Sequence, residues 1–357
     1  MSEAERSAGP REQGREAAAQ RGEAERRAIE LAAATRRAAG LFALPDRGLL
    51  EVAGEDRVRW LDGMLTNDVR RLAPGPDRSG CRALALTRKG GIVADVRVWL
   101  RPEAFWLETD AAAIPRLLEH LRGLVVADDV QLAALGTAVA LLALEGPAAR
   151  GVLERALGRA IALAEGAVAE LEVSEVRGAV AAYGASGESA FRLALPAAGA
   201  GPASEALVAA GAPLGLVAGS EEALEILRIE AGTPRFGAEL GEDVLPAEAR
   251  LEAAIAFDKG CYTGQEIVAR VESRGQVRRY LVGVRVLGGS APSPGAPIER
   301  EGAPVGEITS GCVSPACGAI GMGFVRVPHD APETELRVEG RPAKVAALPF
   351  VAARSTV

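Results

Sequence analysis

An α+β body followed by a small β-barrel is the fold class this sequence predicts. Three patterns point to it. Short apolar runs with strand-like alternation begin near Leu41, stretches with helical apolar spacing lie between them, and the part after Tyr280 is rich in prolines and short strands. The chain has 357 residues, of which 48% are hydrophobic, enough to build two or three domains with buried cores.

Residues 1–40 mix Arg, Glu and Ala with few large apolar side chains, so they should form a polar extension, frayed at first and helical from about Glu23, that gains little by docking. Glu3, Glu5, Glu12, Glu16, Glu23 and Glu25 set it apart from a transit peptide, which is poor in acids. Leu49, Leu50, Glu51 and Val52 read as a strand, as does the run from Ile92 to Leu100. Residues 55–65 and 111–121 have helical spacing, the second stopping at Gly123. A further helix is delimited by Ser220 as cap, Glu221 and Glu222 at its positive end, and Gly232 with Pro234 as the stop after Ala231. Arg228 and Glu230 fall in its last turns. Short strands over 282–286, 305–309 and 323–327, set among Pro292, Pro294, Pro297 and Pro304, complete a C-terminal barrel or sandwich. The expected divisions are 1–40, 41–279 with two interleaved subdomains, and 280–357.

The net charge of −7 provides no field for nucleic acid or anionic lipid, so no direct nucleic-acid partner is expected. The longest apolar stretch, 132–144, is interrupted by Gly136 and Thr137 and halted by Glu145, too short to span a bilayer. Four cysteines make no disulfide framework and the start has no apolar leader core, which points to the cytoplasm. The two histidines, His120 and His329, lack neighbours at metal-ligand spacing; this argues against zinc hydrolysis and Ser-His triads, and no metal site is expected.

The segment Lys259, Gly260, Cys261, Tyr262, Thr263, Gly264, Gln265, Glu266 concentrates chemistry. Thr263 and Glu266 have capping-box spacing ahead of the apolar run from Ile267, so a helix should start at Thr263 and end near Gly275. Cys261 then precedes the cap by two residues, where the helix end and Lys259 favour its thiolate, and Gly260 and Gly264 leave the backbone open to a ligand or partner. The alternative is a small core cysteine in a tight connection. Cys81, Cys312 and Cys317 read as packing residues, the last two being spaced more widely than a CxxC pair. Arg270 and Arg274, four apart on the same helix, face an anionic ligand or client, or form a solvated basic edge.

This octet resembles the signature of the YgfZ family, lysine-glycine-cysteine-aromatic-x-glycine-glutamine-glutamate, at every fixed position. The stretch Arg274, Gly275, Gln276, Val277, Arg278, Arg279 is similar to the arginine-glycine stretch that follows it. The segments 227–237 and 243–248 resemble sequence shared with the larger relatives, the T-protein aminomethyltransferases of glycine cleavage. The segment 90–95 is similar to the one whose aspartate approaches folate there, and 309–315 resembles a strand-turn of their C-terminal barrel. The similarity covers about 41–350.

The resemblance implies a GcvT-like multi-domain fold around a central tetrahydrofolate cavity, with Cys261 at its rim and a C-terminal β-barrel. It implies Cys261, Lys259 and Asp95 as the residues of the chemistry, and Asp95, Trp99, Arg192, Arg228, Phe236, Gln265 and Glu266 as the folate-binding set. Asp95 and Trp99, four apart on a strand, share a face toward the pterin. Arg228 would pair with a folate carboxylate and Phe236 would stand beside the ligand. Arg192 occupies the place of a pterin-reading glutamate in aminomethyltransferases, so an acceptor has become a donor. Two functions are implied: a folate-dependent factor for assembly or repair of iron–sulfur clusters in client enzymes, including tRNA-thiomethylating ones, working through the Cys261 thiolate; and a folate-dependent one-carbon (aminomethyl) transferase in which Asp95 orients the reacting nitrogen. A folate-binding scaffold without chemistry is a third.

Overall fold

A computed structural model describes residues 10–275 and 277–353. The frayed start expected before residue 10 and Gln276 of the arginine-glycine stretch lie outside the described residues. The chain runs α1 (Pro10–Arg37), β1 (Ala39–Ala43), β2 (Arg47–Ala53), α2 (Arg57–Met64), β3 (Gly80–Leu86), β4 (Ile92–Leu100), β5 (Ala104–Asp110), α3 (Ile114–Arg122), β6 (Gln131–Ala134) and β7 (Val139–Glu145). It continues through α4 (Ala149–Leu157), β8 (Val168–Val173), β9 (Val176–Ala181), β10 (Ala190–Pro196), α5 (Ala200–Gly211), β11 (Leu216–Ala218), α6 (Glu221–Glu230) and α7 (Gln265–Arg274). Six strands follow, β12 (Arg279–Val286), β13 (Pro297–Arg300), β14 (Ala303–Ser314), β15 (Gly318–Arg326), β16 (Glu335–Val338) and β17 (Arg341–Ala346).

These strands form three bodies. A six-stranded sheet has the order β11-β1-β7-β10-β9-β8, a five-stranded sheet the order β3-β4-β5-β2-β6, and the last six strands close a barrel, β12-β15-β14-β13-β16-β17. Chain order crosses between the first two sheets, because β1 belongs to one, β2 to β6 to the other, and β7 returns to the first. The result is a mixed α/β fold with a closed six-stranded C-terminal barrel.

Alternation along the strands decides which layer each residue joins. On β4, Val96 and Val98 pack with Leu61, Leu117 and Leu121 of α2 and α3, while Trp99 joins the central cluster with Phe42, Tyr183 and Leu227. That central cluster also takes Ile320, Met322 and Phe324 from the barrel, so all three bodies share one core. Helix α6 sits at the junction. Ser220 caps it as expected, its Oγ accepting from the Ala223 amide at 3.3 Å, and Ala231 closes it.

The N-terminal helix departs from the solvated extension expected of it. Ala28 and Ala32 are buried against α6, and Arg36 is buried with its Nε donating to Glu230 at 2.8 Å. Small side chains allow the close approach that large apolar groups were expected to supply, and an ion pair takes the place of bulk.

Helix α7 also starts differently. Its N-cap is Gly264, in the left-handed region at φ +85°, with no side-chain cap, so Thr263 does not form the expected capping box. A Cβ at Gly264 would stand 2.7 Å from the Thr87 carbonyl oxygen, on the turn between β3 and β4. This glycine is therefore required by packing and backbone angle, and the turn between β3 and β4 lies over it. The helix ends at Gly275, as the pattern indicated.

Candidate functional site

The five-stranded sheet turns the odd-numbered residues of β4, Asp95, Arg97 and Trp99, toward the six-stranded sheet. Between the sheets, and closed at one side by α6, lies a cleft whose free space, open mouth included, is about 940 Å³. This is within the range of small-molecule sites. Its charged walls come from both sheets and from α6: Arg47, Arg82, Asp95, Arg97, Glu108 and Asp110 on one side, Arg192 on the other, and Glu225 and Arg228 from the helix.

Most of these charges are paired. Arg82 lies across both oxygens of Asp95, at 2.9 and 2.6 Å. Burial opposes the charge on Asp95, but Arg82 more than offsets it, and the pKa is held below the usual carboxylate value. Arg47 donates to Glu108 and to Asp110, each at 2.9 Å. Asp110 runs the other way, its pKa raised by burial with Arg47 only partly compensating. Trp99, fully buried, donates from its indole to the Tyr183 hydroxyl at 2.9 Å, and that hydroxyl in turn donates to the wholly buried Glu108 through a short contact.

Arg192 is turned into the cleft and is ion-paired with Glu145 at 2.8 Å, while its buried Nε has no partner among the described residues. Glu145 also accepts from the amides of Ala185 and Ser186, at 3.0 and 3.1 Å, and so organises the loop that carries Tyr183. Gly184 in that loop leaves no room for a side chain, because a Cβ there would stand 2.3 Å from the Ala190 Cβ and 2.4 Å from the Glu145 carboxylate. Arg228 is saturated: it pairs with Glu225, with Glu239 at 3.1 Å and with Ser310 Oγ at 2.6 Å. The fork that the sequence offered to a folate carboxylate is thus committed within the protein.

Arg97 is the exception. Its guanidinium lies over the Tyr183 ring, 4.7 Å from the centroid, with no ion pair or hydrogen bond among the described residues. Burial, and then the nearby Arg82, push its pKa down to about 10.

Of the residues expected to form the site, Asp95, Arg192 and Arg228 line the cleft. Trp99 lies behind its wall and reaches it through Tyr183. Phe236 is half-buried next to the lining residue Arg235 and packs on the central core. Lys259, Cys261, Gln265 and Glu266 do not line it. Cys261 is exposed, whereas Lys259 turns inward, its buried Nζ 3.0 Å from the Asp62 carboxylate and donating to the carbonyls of Asp62, Leu65 and Asn67. Among the described residues no group of three His, Cys, Asp or Glu is placed to hold a metal ion, and no helix is long and apolar enough to cross a membrane. Sequence reasoning did not single out Arg47, Arg82, Arg97, Glu108, Asp110 and Tyr183. The available signal was period-two alternation carrying charged residues inward on β3, β4 and β5.

Comparison with known proteins adds a lineage to this geometry. The profile of the GCVT N-terminal domain matches residues 15–259, and that of the glycine cleavage T-protein C-terminal barrel domain matches residues 279–352. Two curated relatives, both named aminomethyltransferase, come from Shouchella clausii and Rubrobacter xylanophilus. The first is 33% identical over 89% of this chain and 88% of its own; the second is 36% identical over 89% and 84%. The crystal structure of the glycine cleavage system aminomethyltransferase T from Bartonella henselae is similar with a TM-score of 0.81 at 26% identity, covering 91% of this chain and 89% of that one.

Proposed function

Because the chain belongs to the glycine cleavage T-protein family, from its N-terminal domain through its C-terminal barrel, we propose that it is a folate-dependent one-carbon (aminomethyl) transferase acting in the cytoplasm, with the cleft between the two sheets as its site. Aminomethyltransferases of this family use tetrahydrofolate, which when bound supplies the nitrogen that receives the carbon unit. The observation that carries the reading is Asp95: a carboxylate on the wall of the cleft, fixed by Arg82 and kept ionised.

The donor set fits a reduced pterin. Asp95 accepts a hydrogen bond from a ring or reacting N–H and orients that nitrogen without competing for its proton, because the Arg82 clamp holds the carboxylate charged. Residue 192 is a donor, neutralised by Glu145, so the acceptors for pterin N–H groups come from the five-stranded sheet, where Glu108 and Asp110 stand beside Arg47. The unpartnered Nε of Arg192 is a buried donor that a ring carbonyl or nitrogen satisfies. Tyr183, tied to Trp99 and Glu108, lines the same space with the Arg97 guanidinium over its ring.

Calorimetric titration of tetrahydrofolate into the parent protein and Asp95→Asn tests the reading. Saturable binding weakened at least tenfold by the substitution is expected, with transfer of labelled carbon from an aminomethyl donor falling in parallel. A parent protein that does not bind tetrahydrofolate overturns it.

One observation favours a second reading. Cys261 is the exposed cysteine of the four, on the loop that leads into α7 and outside the cleft lining. A folate-dependent factor serving iron–sulfur client enzymes would use such a thiol toward a partner. Cys261→Ser separates the two: carbon transfer unchanged with iron–sulfur enzyme activity lost in cells supports the factor.

A further inference from the structure

Among the described residues none of helix α1 lines the cleft, yet one of its side chains joins two of the cleft's walls. The first wall is the loop after β9, where Tyr183, Gly184 and Ala185 border the open space; the second is α6 with the turn that follows it, which supplies Glu225, Arg228 and Thr233. Arg36 lies behind both, buried and outside the lining. Its Nη1 donates to the Ser186 carbonyl at 2.9 Å and to Glu188 at 3.1 Å on the loop. Its Nε donates to Glu230 at 2.8 Å and its Nη2 to the Leu227 carbonyl at 3.4 Å on α6. A guanidinium is planar and its donors point in fixed directions, so this one group sets the spacing of four acceptors on two elements.

What Arg36 grips is close to the ligand space. The amides of Ala185, Ser186 and Glu188 are held by the side chains of Glu145 and Ser186, not by a strand ladder. Ser186 also donates its Oγ to Glu145 at 2.6 Å, and the same carboxylate anchors Arg192 in the cleft at 2.8 Å. Thr233, on the opposite wall, donates to the Ala185 carbonyl at 2.9 Å. A shift of Ser186 therefore moves Ala185 directly and Arg192 by way of Glu145. We propose that Arg36 is a positioning residue for the cleft, resting on the transferase reading only in the choice of tetrahydrofolate as the ligand: by bracing the 183–189 loop against α6 it sets the gap between these walls, and with it the affinity of the site, without touching what binds there. Balancing the buried charge of Glu230 is a separate role that affects stability alone. The two come apart because charge balance needs Glu230, whereas the brace also needs the loop.

The test compares the parent with Arg36→Met, with Arg36→Met combined with Glu230→Gln, and with Arg37→Met, an exposed neighbour on the same turn. Each is studied well below its own melting temperature. Hydrogen–deuterium exchange of peptides covering 183–189 reads the loop without any ligand, and calorimetric titration of tetrahydrofolate reads the site. The double variant should regain part of the melting temperature that Arg36→Met loses, because both charges leave together. It should nonetheless exchange about tenfold faster than the parent in the loop and bind tetrahydrofolate about tenfold more weakly, while Arg37→Met matches the parent in both. Should the double variant not fold, Arg36→Lys carries the same comparison, since an ammonium keeps the charge and cannot span the four acceptors. Parent-like exchange in the loop overturns the brace, and faster exchange with parent-like affinity overturns its control of the site. A parent protein that does not bind tetrahydrofolate sinks the transferase reading separately, and exchange in the loop then decides on the brace by itself.

Discussion

Lys259 and Cys261 are two residues apart and face opposite ways. The ammonium is sealed against Asp62 and three carbonyls, and burial lowers its pKa below the usual lysine value; the thiol is exposed. Their proximity in sequence suggested that Lys259 favours the Cys261 thiolate, but the main-chain geometry makes Lys259 an internal fastener of the α2–β3 region and leaves Cys261 on the surface of the loop. Cys81 is pushed up to about 12 by burial, and burial raises Cys312 as well. Native-state alkylation at pH 8, read by peptide mass spectrometry, should therefore modify Cys261 first and leave Cys81 and Cys312 largely unmodified until the protein is unfolded. Asp95 gives a pH signature. Its folded pKa is below the unfolded value, so its contribution to stability is complete above about pH 4 and is lost as pH falls through the folded pKa. Asp95→Asn should cost about 1–3 kcal/mol at neutral pH and flatten the acid limb of the melting temperature below about pH 4. The inward face of Asp95 was legible from strand alternation. The pairing that leaves Arg228 saturated and Arg97 free was not, because it depends on Glu239 and Ser310, distant in sequence, reaching the same helix.

At the scale of elements, α1 is the piece whose sequence misleads. Its polar composition predicts solvation, yet Glu230 at the end of α6 is wholly buried and draws Arg36 at 2.8 Å and Ser314 Oγ at 2.5 Å onto its carboxylate. A charge buried on α6 demands a partner, and the last turn of α1 supplies it. Truncation of residues 1–37 should thus lower the melting temperature by well over several degrees. Arg36→Met alone should cost about 3–5 kcal/mol, and Glu230→Gln added to it should recover part of that loss, measured by chemical denaturation. Capping patterns fared unevenly for a related reason. Ser220 stands at a free helix start and caps it. Thr263 stands where the turn between β3 and β4 overlies the backbone, and the close approach of the Thr87 carbonyl dictates glycine at the next position.

Across the whole molecule, the two sheets and the barrel each bury a core of their own and also meet in one shared cluster. Ile320, Met322 and Phe324 of β15 bury against Ile226, Leu227 and Ile229 of α6, and the amides of Phe350 and Val351 donate to the Glu230 carbonyl at 2.8 and 3.1 Å. Calorimetric unfolding should accordingly show one cooperative transition; a separate transition for the barrel would contradict the shared core. The barrel itself was legible from its prolines and short alternating strands, as was the mixture of helix and strand before it. The swap of β1 and β2 between sheets was not, since nothing local in either strand names its neighbours.

The hydrogen bond from Trp99 to Tyr183 crosses from the five-stranded to the six-stranded sheet directly behind the wall of the cleft. It makes the indole an optical gauge of the gap. Of the three tryptophans, Trp60 is buried in the separate core beneath α2, and Trp106, half-buried and hydrogen-bonded to Glu51, lies 6.4 Å from Trp99. Any ligand that shifts one sheet against the other alters the polarity seen by a single, otherwise dry chromophore, and emission becomes a titration signal that needs no label.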